Sequence, residues 1–131
     1  MKKIGTLNQS LSAVIAGLGH LDQLVVADAG LPIPAGPERI DLALKEGLPG
    51  FAETLQVILE EVQVETAVVA EEMISTSPQI YQLIAAMLAD IPIETVPHEE
   101  FKLRTGEARA VVRTGEFTPY ANVILISGVV F

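Results

Sequence analysis

The fold is decided by Thr118-Pro119-Tyr120-Ala121-Asn122 and the run that follows it, Val123-Ile-Leu-Ile-Ser-Gly-Val-Val-Phe131. A polar stop gives way to a largely apolar segment, whereas ordinary chain ends are polar and frayed. The run from Val123 to Phe131 is therefore expected to be a buried strand, locked into a sheet or a subunit contact. Tyr120 and Asn122 set a hydroxyl and an amide at its mouth.

Upstream, the pattern alternates. Asn8 can cap a helix whose apolar positions Leu11, Val14, Ile15 and Leu18 follow a 3.6-residue spacing, with Gly19 as its left-handed stop and His20 just beyond. Leu24-Val-Val-Ala27 reads as a short buried strand that closes on Asp28 and opens into Ala29-Gly-Leu-Pro-Ile-Pro-Ala-Gly-Pro37, a loop enforced by its prolines and glycines. Ile40 to Leu44 reads as a strand and Phe51 to Glu61 as a helix. Thr66 to Glu71 is a strand, and Pro78 opens a helix through Leu88. Ile91 to Val96 and Ala110 to Arg113 are further strands, separated by a polar turn or short helix from His98 to Thr105. Strands alternating with helices predict an α/β fold: one layered domain over residues 1–131 with a mixed central sheet flanked by helices. The sheet is expected to be mixed because the last two strands leave no room for a helix between them.

Composition narrows the function. A chain of 131 residues buries one core, and half of its residues are apolar while only 5% are aromatic. That excess of aliphatic surface in a small body favours an oligomer. A net charge of −9 repels phosphate backbones, and no basic stripe interleaved with aromatics offsets it, so no nucleic-acid partner is expected. There is no cysteine, which removes disulfides, thiolate metal sites and thiol catalysis together. Lys2-Lys3 and the apolar stretch Leu11 to Leu18 outline a signal peptide, but Ser12, His20, Asp22 and Gln23 interrupt it. No apolar run approaches bilayer-spanning length. The expectation is a soluble, cytoplasmic protein without membrane insertion.

Few residues can carry chemistry. The two histidines, His20 and His98, both fall in loops at the ends of regular elements. An ordinary loop histidine is solvated; His20 gains weight from Asp22, Asp28 and its place past a helix C-terminus. Asp28 stands where α/β sheets bind ligands, at the carboxyl end of a strand, although an Asx turn would use the same residue. Glu71-Glu72 reads as a cap rather than a metal site. Lys102, Arg104, Arg109 and Arg113, interspersed with Glu99, Glu100 and Glu107, read as a solvated face rather than an anion site. No phosphate loop, dinucleotide fingerprint or histidine pair at i, i+4 is present, so neither a cofactor nor a metal is expected.

Gly19-His-Leu-Asp22, Ala27-Asp-Ala-Gly-Leu-Pro-Ile-Pro34, Arg39-Ile-Asp41, Ala70-Glu-Glu72, His98-Glu-Glu-Phe-Lys102 and Arg113-Thr-Gly-Glu-Phe-Thr-Pro-Tyr-Ala-Asn-Val-Ile-Leu125 together resemble the D-ribose pyranase family, in order and across the whole chain. The resemblance implies a cofactor-free sugar mutarotase that interconverts the pyranose and furanose forms of ribose in ribose uptake and use. It implies that His20 is the proton donor and that Asp28, His98, Tyr120, Ala121 and Asn122 bind the sugar. It also implies a ring-based homo-oligomer, an octamer or decamer, with sites at subunit interfaces. Pro97 before His98 and Ser127-Gly128 near the end depart from the expected pattern without touching a proposed ligand. The related fucose branch differs around Gly30-Leu-Pro-Ile-Pro34 and His98, where this chain follows the ribose branch.

The chemistry suits these residues. Opening a cyclic hemiacetal requires one proton delivered to the ring oxygen and one removed from the anomeric hydroxyl, and imidazole, with an ordinary pKa of about 6.5, serves either step at neutral pH. Asp28 could orient His20 or accept a sugar hydroxyl, and Tyr120 and Asn122 supply neutral donors and acceptors. Ala121 can act only through its backbone or by leaving space. Two other classes use the same residues differently. A non-catalytic sugar-binding module of a ribose transporter would not need His20, and a histidine phosphocarrier would need it phosphorylated, against its acidic surroundings.

Overall fold

The structure, a computed structural model, describes residues 1–131. In chain order the elements are α1 (Gln9–Gly17), β1 (Gln23–Ala27), β2 (Glu38–Asp41), α2 (Phe51–Leu59), β3 (Val64–Ala70), α3 (Glu72–Thr76), α4 (Pro78–Leu88), β4 (Ile93–Val96), α5 (His98–Arg104), β5 (Ala110–Arg113) and β6 (Val123–Ser127). The strands form one mixed sheet in the order β2-β5-β1-β6-β3-β4. β5 pairs in parallel with both β1 and β2, and β4 pairs in parallel with β3. β6 runs antiparallel between β1 and β3, with Ile124 opposite Val25 on one side and Val68 on the other.

The sheet is mixed because the link from β5 to β6 holds no helix and β6 runs back antiparallel, as the short spacing predicts. β5 and β6 are not hairpin neighbours, because β1 lies between them. The connection from Thr114 to Asn122 instead crosses the carboxyl end of β1 before β6 returns down its other side.

Alternation along each strand feeds two cores. Leu24, Val26, Ala67, Val69, Val112, Val123 and Leu125 pack against Leu11, Phe51, Leu55, Ile58, Ile84 and Leu88 from α1, α2 and α4. Val25, Val68, Val111 and Ile124 face the other way, onto Phe101 of α5 and Leu31 of the loop after β1. A helical layer therefore covers one face and α5 with a loop covers the other, the three-layer solution open to a sheet that is apolar on both sides. No helix is long and apolar enough to cross a membrane.

Two local readings are corrected. The left-handed residue after α1 is Leu21, with φ of 68°, and not Gly19; α1 ends on a bond from the Leu18 N–H to the Ile15 carbonyl. The terminal run is a strand only as far as Ser127. Its ladder bonds end with the Ser127 N–H to the Asp22 carbonyl and the Gly128 N–H to the Gln63 carbonyl, where β1 and β3 begin and no further backbone is available for pairing. Val129, Val130 and Phe131 consequently project into solvent, Phe131 fully.

The central position of β6, shared with β1, makes its aliphatic side chains sensitive to truncation. Ile124→Ala removes a fully buried side chain contacted from both neighbouring strands. It is expected to cost about 2 to 5 kcal/mol, read from the denaturant midpoint. A loss below about 1 kcal/mol would contradict this placement of β6.

Candidate active site

β1, β2, β3, β4 and β5 all point the same way, so their carboxyl ends share one edge of the sheet, where open α/β sheets bind ligands. Because β6 is antiparallel, the residues that precede it arrive at that same edge. A cavity of about 550 Å³ lies there, lined by Asp28 after β1, His98 after β4, Arg113 at the end of β5 and Glu116 beyond it, and Tyr120 and Asn122 before β6.

Asp28 and Asn122 form its floor. The Asp28 N–H donates to Asn122 Oδ1 (2.8 Å), and Asn122 Nδ2 donates back to Asp28 Oδ2 (3.0 Å). Asp28 Oδ1 accepts the N–H groups of Gly30 (2.9 Å) and Leu31 (2.8 Å), so the Asx turn expected of Asp28 and its place in the pocket are one arrangement. Asn122 is fully buried. Its side chain ties the end of β1 to the start of β6.

His98 forms one wall. Its backbone N–H donates to both carboxylate oxygens of Glu72 (3.1 and 3.0 Å), so Glu72 caps α5 across the sheet rather than the helix that it opens. The imidazole stacks on Phe101 and meets the edge of the Tyr120 ring at 5.0 Å. Its Nδ1 is buried without a hydrogen-bond partner. Tyr120 is held at φ 62°, a left-handed conformation that costs a non-glycine residue about 1 to 3 kcal/mol and recurs at ligand sites. The turn is held by its surroundings: Ser77 Oγ donates to the Pro119 carbonyl (2.7 Å) and the Asn122 N–H to the Tyr120 carbonyl (2.7 Å). Ala121 lies in this turn with its methyl in the larger core, leaving only its backbone for a ligand.

Two residues of the wall were not singled out from sequence. The charge pattern places Arg113 on a solvated face, but its Nε donates to the Ala29 carbonyl (3.0 Å) and its Nη1 to both oxygens of Asp41 (3.1 Å). It thereby clamps the loop after β1 to β2. The signal available was the in-register pairing of Asp41 with Arg113, which becomes readable only once β2 and β5 are known to be neighbours. Glu116 accepts from the Phe51 N–H (3.1 Å) and from the Thr118 N–H (3.1 Å) and hydroxyl (2.7 Å), joining the start of α2 to the crossing loop. Gly115 before it packs against the backbone of Lys45 and Leu48, with no room for a Cβ. Lys102, Arg104 and Arg109 pair with Glu99, with Glu94 and Glu100, and with Asp22, respectively. No group of three or more His, Asp or Glu side chains is assembled as a metal cage.

His20 is not in this cavity. It precedes β1 whereas Asp28 follows it, and five strand residues at about 3.3 Å each put the length of the sheet between them. Of the two roles open to Asp28, orienting His20 is therefore not met within one chain: His20 Nε2 lies 2.7 Å from Glu65 Oε2 at the opposite edge. There it borders a smaller cavity of about 370 Å³ with Leu18, Ser127, Val129 and Phe131.

With this geometry in place, comparison with known proteins is decisive. Residues 1–130 match the RbsD / FucU transport protein family. The chain belongs to that family. Among RbsD / FucU relatives, the D-ribose pyranase of Laribacter hongkongensis is 59% identical over 131 residues, the whole of both chains. The solved structure of Bacillus subtilis RbsD complexed with D-ribose superposes with a TM-score of 0.97 at 50% identity, again over the whole of both chains. The fucose mutarotase of Streptococcus pneumoniae, solved in complex with L-fucose, is more distant: TM-score 0.80 and 27% identity over 95% of each chain.

Glu116 supplies a test of the crossing loop. Partial burial pushes its carboxyl up, but bonds from the Thr118 hydroxyl and the N–H groups of Phe51, Thr118 and Phe117 prevail and hold it below the ordinary 4.5. A depressed carboxyl stabilises the fold above its unfolded pKa, and that contribution is lost as pH falls through the folded value. Acid titration should therefore loosen the wild-type loop below about pH 4.5, whereas Glu116→Gln should be less stable at pH 7 and flatter through the acid range. Parallel acid profiles for the two proteins would contradict the assignment.

Proposed function

We propose that the cavity at the carboxyl edge of the sheet binds D-ribose and that His20, brought by an adjacent subunit, transfers the protons of ring opening. The activity is that of a D-ribose pyranase, an isomerase interconverting β-D-ribopyranose and β-D-ribofuranose without a cofactor. The observation that carries the reading is full-length identity of 50–59% with D-ribose pyranases, joined to a cavity whose free groups suit a polyol.

The chemistry follows from the lining. A sugar with several hydroxyls needs acceptors and donors at fixed spacing. Asp28 and Asn122 offer them from a prebuilt pair, His98 lines the wall beside them, and the Tyr120 ring supplies an apolar face. Ala121 contributes its backbone at the turn. Ring opening takes the proton from the anomeric hydroxyl as the C1–ring oxygen bond breaks, and the ring oxygen receives a proton as the carbonyl forms. Closure by the other hydroxyl reverses these steps with the second ring size. One imidazole can serve both transfers, and acid-base help of this kind is worth about 10² to 10⁴ in rate.

The separation of His20 from the cavity supports assembly. Within one chain the two lie at opposite edges, and beside His20 the apolar Val130 and Phe131 are uncovered. Phe117 stands exposed at the mouth of the cavity. Joining one edge to the other through these residues covers both surfaces and places His20 near the bound sugar. A ring-based homo-oligomer, an octamer or decamer, satisfies this requirement with closed symmetry. Cytoplasmic uptake and use of ribose is the setting that the family implies.

Two measurements test the reading. His20→Ala should lower pyranose–furanose exchange of D-ribose, followed by NMR saturation transfer, by about 10² to 10⁴ while retaining sugar binding; wild-type exchange would remove His20 from the mechanism. Measured side by side, D-ribose exchange should be accelerated more than L-fucose anomer exchange, because buried polar groups left unpaired by the wrong sugar cost about 1 to 3 kcal/mol each. Equal or greater acceleration of L-fucose would place the chain on the fucose side of its family.

A further inference from the structure

We infer that Glu65 is the positioning residue for His20, holding the imidazole so that Nδ1 is the nitrogen presented to the sugar. The inference rests on His20 being the proton-transferring group. Glu65 Oε2 lies 2.7 Å from His20 Nε2, across 45 residues of sequence. A carboxylate can only accept, so Nε2 carries the proton and Nδ1 is left with its lone pair in the neutral ring. In the imidazolium Nδ1 carries the proton that is returned to the sugar.

The backbone is built to deliver this carboxylate. In the β3–β6 ladder Val64 pairs with Ser127 and Thr66 with Ile126, so Glu65 is an extra residue on β3, a β-bulge. The consequence appears in the packing: Val64 and Ala67, three apart, face the same core, which strict alternation forbids. Bulges re-aim a side chain beside functional sites. Opposite the bulge stands Gly128, where an added Cβ would come within 3.1 Å of Glu65 Cβ. The absence of a side chain there leaves Glu65 its place.

The loop bearing His20 is fixed from the same strand ends. Ser127 Oγ donates to the Gly19 carbonyl (2.6 Å), and the Leu21 N–H donates to the Ser127 carbonyl (2.8 Å). Other carboxylates nearby are engaged elsewhere. Asp22 accepts the Gly19 N–H and pairs with Arg109, and Glu61 pairs with Lys2. Glu65 is the carboxylate left to His20, and the arrangement reproduces the base-and-orienter logic of acid-base enzymes.

The test uses the full-length assembled protein with ¹⁵N-labelled histidine, the His20 signals being assigned by their loss in His20→Ala. Wild type should show the Nε2–H tautomer. In Glu65→Gln, whose amide can donate or accept, that preference should be lost, and kcat for D-ribose exchange should fall about 10- to 100-fold with KM changed less than about twofold. Glu65→Asp should recover part of the rate, and Glu65→Gln added to His20→Ala should cost nothing further. Wild-type kcat and an unchanged tautomer in Glu65→Gln would overturn the role of Glu65 while an inactive His20→Ala leaves His20 in place. Full activity of His20→Ala would instead overturn the reading beneath it. Should Glu65→Gln fail to assemble, Glu65→Asp decides: lowered kcat at native mass supports the role, and wild-type kcat overturns it.

Discussion

The antiparallel pairing of β6 with both β1 and β3 is the constraint on which the rest of the molecule depends. Without it the chain would be an all-parallel sheet whose last strand ends at the carboxyl edge. With it, the segment before β6 must climb to that edge and cross the end of β1, bringing Glu116, Tyr120 and Asn122 over Asp28. The same pairing carries Ser127 and Gly128 to the other edge, where they frame His20 and Glu65. One strand thus organises both ends of the sheet.

Local interactions then make the cavity rigid before a ligand arrives. Asp28 and Asn122, 94 residues apart, exchange two hydrogen bonds, and Asp28 also closes its own turn. Arg113 clamps the loop after β1, Glu72 caps the helix that begins at His98, and Ser77 holds the turn that keeps Tyr120 at positive φ. Each is a long-range polar contact at a loop, where backbone groups lack ladder partners and need one. Among the buried side-chain atoms only His98 Nδ1 remains unpaired. A site preorganised in this way loses little entropy on binding a small sugar.

Much of this was legible in the residues. The spacing of Leu11, Val14 and Ile15, the capping by Asn8, Pro78 at a helix start and the buried strand before Asp28 are local signals, and the structure carries each of them, while Leu18 falls just past the helix. The motifs around His20, Asp28, His98 and Asn122 indicated the family. Less legible was anything set by neighbours in space. Arg113 looks like a surface charge until Asp41 is known to lie opposite it. The bulge at Glu65 leaves no mark in the sequence, where the strand reads as Thr66 to Glu71 and Glu65 falls just before it. The apolar run to Phe131 outlasts its strand because pairing ends where β1 and β3 begin, which hydrophobicity alone does not reveal.

The central claim is that a working site combines the cavity of one subunit with His20 of another. Complementation between two inactive variants tests it most directly. His98→Ala impairs the cavity and His20→Ala the proton transfer, and neither change alone leaves a complete site. Co-expressed in equal amounts and assembled together, they should regenerate intact sites at roughly a quarter of positions, seen as D-ribose exchange in mixed oligomers that neither parent shows. Mixed oligomers no more active than the two parents would show that each subunit must supply both parts, and would contradict the account.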